Sequence, residues 1–93
     1  MQRMKDLLAA ILEEMGFIIF DIDNEDFAIS DYITDSIQFL NFIISIEQLL
    51  GIELTDDFLK VDILSSANGL ANKLLVFCEI NNIDPQNLKV TVN

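Results

Sequence analysis

The sequence predicts an all-α domain, and three observations carry that expectation. Apolar residues recur at helical spacing in three separate stretches, near residues 4–15, 36–50 and 67–78. The stretches are bounded by residues suited to starting or stopping a helix: Asp35-Ser36 and Ser65-Ser66 before two of them, Gly16, Gly51 and Asn81-Asn82 after all three. The one short apolar run that also reads as a buried strand, Phe17-Ile18-Ile19-Phe20, has no evident partner strand.

The first helix rests on Met4, Leu7, Leu8, Ile11, Leu12 and Met15, which follow the i, i+3, i+4, i+7, i+8, i+11 rule of one apolar face. Gly16 stops it. Its expected role is packing, with no function attached.

Phe17 to Thr34 reads as a long connection, and so long a loop is unusual in a compact domain. Its apolar residues offer a way to pin it across the helices. Asp21-Ile22-Asp23-Asn24-Glu25-Asp26 has the density of acids a calcium loop needs, but an EF-hand requires Gly at its sixth position and Glu at its twelfth. Counted from Asp21, those positions hold Asp26 and Tyr32. A solvated acidic loop is expected there, and no metal site.

The second helix opens at Asp35-Ser36-Ile37 and runs to Gly51. At ~100° per residue, Phe39, Phe42, Ile43, Ile46, Leu49 and Leu50 fall in one stripe roughly 120° wide, which is enough for a core face. Ile37, Leu40 and Ile44 fall in a second stripe, on the side where Asn41 and Gln48 lie. The second stripe needs another explanation.

Thr55-Asp56-Asp57-Phe58-Leu59 reads as a capped turn or short helical piece, and Asp62-Ile63-Leu64 as one further turn. Ser65 and Ser66 offer caps for the last helix, on which Ala67, Leu70, Ala71, Leu74, Phe77 and Cys78 form the apolar face. Gly69 weakens this helix without forbidding it. Asp84-Pro85-Gln86-Asn87 is a turn, and the residues from 81 onward read as a tail on a core spanning about residues 4–80.

Composition limits the function. Ninety-three residues make a single domain. One cysteine allows no intramolecular disulfide, which fits a reducing cytoplasm. Cys78 on an apolar helix face reads as an inert buried thiol. The chain has no histidine, which excludes a Ser-His hydrolytic arrangement. Sixteen acids against five bases give a formal charge of −11, which repels nucleic acid and anionic membrane, serves solubility and favours basic partners. No uninterrupted apolar run is long enough to insert in a bilayer, and no signal peptide is evident. The methionine start and short tail suggest a free-standing protein.

Asp35-Ser36-Ile37 at the head of an apolar helix, followed by Glu47 and by Leu50-Gly51-Ile52-Glu53-Leu54-Thr55-Asp56-Asp57, resembles the acyl carrier protein family, which includes the peptidyl and D-alanyl carriers. The likeness extends from about Met4 to about Ile80. It implies a four-helix bundle with a long first loop and a short third helix near residues 55–65. It implies that Ser36 carries 4'-phosphopantetheine, that Asp35 helps a phosphopantetheinyl transferase recognise the site, and that the chain is a carrier with no catalytic activity of its own. Acyl- or aminoacyl-loading enzymes and synthases are the further partners implied, acting on a monomer.

The chemistry suits the place. The first position of a helix offers an exposed hydroxyl on a fixed post, beside free N–H groups and the positive end of the helix dipole, where a phosphodiester is favoured. Apart from any resemblance, Ser36 is simply a good helix cap and Asp35 an acid placed where it contributes roughly 0.3–1 kcal/mol. The second stripe reads as a docking surface formed by Ile37, Leu40, Asn41 and Ile44 with Glu47, unless the long loop covers it.

Departures from the family pattern narrow the pathway. Ile33 stands where the family often has Gly, and Gln38 and Asn41 stand where fatty-acid carriers favour acids; only Glu47 remains. This points to a specialised polyketide, nonribosomal peptide or D-alanyl-type pathway. The alternative is a carrier-fold interaction module that is never acylated and binds a partner through the Ile37–Ile44 strip. A more distant alternative is a small acidic metal-binding protein.

Overall fold

A computed structural model describes residues 2–19 and 26–88. Three α-helices form it: α1 (Gln2–Glu14), α2 (Ser36–Leu50) and α3 (Ala67–Ile80). Single 3-10 turns lie at Ile29–Asp31, Asp56–Phe58, Val61–Ser65 and Pro85–Asn87. No strand occurs among the described residues. Phe17–Ile19 is irregular and Ile18 is exposed, against the buried-strand reading of that run; Phe20 lies outside the described residues.

The described residues thus hold three α-helices, and the expected count of four is not met among them. The segment expected to be a short third helix is two 3-10 turns, Asp56–Phe58 and Val61–Ser65. Here Phe58 and, five residues on, Ile63 and Leu64 are buried while Leu59 and Asp62 between them are exposed, so the segment meets the core at two separate points rather than along one continuous helical face.

The helix ends follow their residues. Gly16, at φ +102°, ends α1: Phe17 N–H donates to the Leu12 carbonyl (3.1 Å) and Gly16 N–H to that of Glu13 (2.9 Å), the paired bonds of a Schellman motif. Asn82, at φ +58°, makes the same pair after α3, with Ile83 N–H on Cys78 (2.8 Å) and its own N–H on Glu79 (3.3 Å). Gly51, at φ +78°, closes α2 with one bond to the Glu47 carbonyl (2.8 Å).

α1 packs against both α2 and α3. Its apolar face is buried as the spacing predicts, apart from half-buried Met15. Phe42, Ile43, Ile46 and Leu50 of α2 and the whole predicted face of α3, Cys78 included, complete the core; Phe39 and Leu49 pack partly buried against it. Radius of gyration is 12.1 Å, as expected of a folded chain this long.

The long connection is pinned by Phe27, Ile29 and Ile33, all buried. Tyr32 meets the Phe17 and Phe27 rings edge-on at 6.0 and 6.1 Å. Packing also continues past Ile80: Ile83 and Leu88 lie on the core, and the Arg3 guanidinium donates to the Leu88 carbonyl. Of the acidic run considered for calcium, Asp21 to Glu25 lie outside the described residues, as does the tail from Lys89.

Candidate functional site

Asp35, not Ser36, caps α2. Its backbone is extended (φ −137°, ψ 169°), and its Oδ1 accepts from the Gln38 N–H at 2.8 Å. Gln38 answers in the other direction: its Oε1 accepts from the Thr34 N–H at 2.9 Å and from the Thr34 hydroxyl at 3.3 Å. The arrangement is a relative of the capping box, with the amide reaching one residue further back. Capping as the whole explanation of Ser36 is thereby removed. Ser36 is the first helical residue, exposed, and its hydroxyl bonds to no other described residue.

The residues named around Ser36 fall in different circumstances. Ile37, Leu40 and Ile44 are 73, 57 and 47 % exposed and share one side of α2 with exposed Asn41. The described part of the long loop leaves this strip open, so the second stripe of the sequence is a surface. Glu47 is half-buried and its Oε2 accepts from the Leu54 N–H at 2.8 Å. That bond holds the chain leaving α2 against the end of the helix, so Glu47 has a structural partner as well as a place near the strip.

Two participants had no signal in the sequence. Gln38 reads there only as a missing acid, whereas it fixes the turn that presents Ser36. Asp26 reads as one acid of a solvated loop, whereas it reaches α3: its Oδ1 accepts from Asn68 N–H (2.9 Å) and its Oδ2 from the Ser66 hydroxyl (2.6 Å). Ser66 is itself the cap of α3, accepting from Gly69 N–H at 2.9 Å. Hydrogen bonds from Asn68 and Ser66 hold the Asp26 carboxyl below its ordinary range, with a smaller contribution from the charge of Lys5. Lys5 is buried on α1, its amine 6.0 Å from the centre of the Phe27 ring.

Cys78 is fully buried, and burial pushes its thiol above the ordinary value. Buried on α3, it offers no exposed nucleophile. No group of three or more metal-binding side chains occurs among the described residues, and no helix among them is long and apolar enough to cross a membrane. No protein-family profile, curated protein or solved structure matches the chain.

Proposed function

We propose that this protein is an acyl or aminoacyl carrier that holds its cargo as a thioester on 4'-phosphopantetheine attached to Ser36. The observation that carries the reading is the division of labour at the head of α2: Asp35 caps the helix, leaving the Ser36 hydroxyl exposed and without a hydrogen-bond partner among the described residues. The fit to a phosphodiester is good on the chain's own terms. Ser36 and Ile37 N–H groups have no intrahelical acceptor, and the positive end of the helix dipole favours an anion there. The bound group supplies the thiol that the buried Cys78 cannot.

Each neighbouring residue has a task in this reading. Gln38 and Asp35 fix the turn that presents the hydroxyl. Ile37, Leu40, Asn41 and Ile44 give the transferase and the loading and synthase enzymes an apolar surface beside the arm, with Glu47 at its lower end. In the carrier bundle we propose, the two 3-10 turns at Asp56–Phe58 and Val61–Ser65 stand in place of the short third helix. The scarcity of acids on α2 favours a specialised pathway, with the protein acting as a cytoplasmic monomer and having no catalytic activity itself.

The test is the intact mass of the protein after incubation with coenzyme A, magnesium and a broad-specificity phosphopantetheinyl transferase, beside the Ser36→Ala variant. Gain of one phosphopantetheinyl group by the wild type alone is the expected result. No gain by a folded sample with several transferases overturns it. The exposed strip on α2 would then be the basis of the other reading, an interaction module that is never acylated.

A further inference from the structure

A second exposed apolar feature lies at the opposite end of α2. The chain leaving the helix and the second half of α3 enclose a groove of about 670 Å³. Its floor is Phe58 and Phe77, both buried, their rings edge to face at 5.4 Å. Ile52, Val76 and Ile80 form its walls and are left 37, 55 and 73 % exposed. At about 1.5 Å per residue, the length of α2 puts roughly 20 Å between this groove and Ser36.

The rim is acidic. Glu53 and Asp57 line it, and exposed Asp56 and Glu79 are their neighbours in sequence or on α3. The one cation among its described lining residues is already committed: Lys73 Nζ donates to the Asp57 carbonyl at 2.7 Å and lies 4.8 Å from the centre of the Phe58 ring. An anionic amphiphile would meet two carboxylates and a lysine that is already donating. A second copy of the chain would bring another charge of −11 to the same place. A helix with one apolar face flanked by Lys and Arg meets neither obstacle, and its apolar side chains at i and i+3 or i+4 suit a groove walled by Ile52, Val76 and Ile80.

We infer that the groove is a docking site for a basic amphipathic helix of a partner protein, with apolar anchors seated over Phe58 and Phe77 and basic residues against Glu53 and Asp57. The site is separate from the Ile37–Ile44 strip and independent of any chemistry at Ser36.

The full chain, labelled with nitrogen-15, is titrated with a synthetic amphipathic helix of Leu and Lys, and in parallel with its Leu and Glu counterpart. Amide shifts concentrated at residues 52–58 and 73–81, seen with the Lys helix alone and weakening with salt, are the expected result. Ile80→Ser, and separately Val76→Ser, should each reduce affinity by about fivefold or more, as should Glu53→Lys combined with Asp57→Lys. Both apolar positions are exposed, so these variants should keep the wild-type unfolding midpoint. Shifts centred on Ile37–Ile44, equal binding of the Glu helix, or unchanged affinity in the folded Ile80→Ser and Val76→Ser variants overturns the proposal. So does a pattern of shifts at the groove that appears on concentrating the protein alone, which would make a second copy the occupant.

Discussion

Ser66 donates a 2.6 Å hydrogen bond to Asp26, forty residues earlier in the chain. The same carboxylate takes the Asn68 N–H while Ser66 takes that of Gly69, so two side chains from distant segments share the first turn of α3. The adjacent backbone bond from Ala67 N–H to the Phe27 carbonyl (2.8 Å) fastens the long connection at the same point. Asp26→Ala should destabilise the fold by about 1 kcal/mol at neutral pH, discounted for its exposure to solvent. Because folding lowers the Asp26 pKa, its contribution is complete above the ordinary carboxyl range near 4 and is lost as pH falls through the lower folded value. Urea unfolding at pH 7 and at successively lower pH should show the difference between wild type and variant narrowing only below about pH 4.

Asp35 and Ser36 are neighbours with opposite expected mutational profiles. Asp35→Ala removes the bond to Gln38 and should cost about 1 kcal/mol. Ser36→Ala removes an exposed hydroxyl with no described partner and should change stability by less than about 0.5 kcal/mol. Equal losses in urea melts of the two variants would return Ser36 to a capping role.

Glycine substitutions should also separate by backbone. Gly16 sits at φ +102°, where an L side chain is strained, so Gly16→Ala should cost about 1 kcal/mol or more. Gly69 is exposed in the first turn of α3, and a Cβ there would meet Ser66 Cβ and Oγ at 3.4 Å. Gly69→Ala should therefore raise stability by about 0.5–1 kcal/mol, measured as a higher urea midpoint. A loss would mean that Ser66 cannot yield without giving up its cap.

Leu74 and Leu40 are chemically identical and differently placed. Leu74 is fully buried, and Leu74→Ala should cost about 2–5 kcal/mol. Leu40 is 57 % exposed, and Leu40→Ser should leave stability within about 0.5 kcal/mol while weakening any partner that docks on the strip. Thermal melts of both variants, followed by the modification rate of the second, measure the contrast.

Cys78 should resist alkylation in the native protein. Burial both blocks access and raises its pKa, which reduces the thiolate fraction at neutral pH. Iodoacetamide labelling followed by mass should be slow without denaturant and rapid in concentrated urea. Fast native labelling would show that α3 opens readily.

Three helices, their apolar faces and their stops at Gly16, Gly51 and Asn82 were legible in the sequence, because each depends on residues within a few positions of one another. The second stripe of α2 was legible for the same reason. Its exposure was not, since whether a loop covers Ile37 and Leu40 depends on where Phe27, Ile29 and Ile33 anchor that loop. Local spacing likewise offered both Asp35 and Ser36 as caps, and only the turn geometry at Thr34 and Gln38 assigned the task to Asp35. The Asp26–Ser66 bond, the burial of Lys5 and the groove between Ile52 and Ile80 join residues far apart in the chain. Tertiary packing alone brings such residues together, and nothing in the periodicity of either segment marks the meeting.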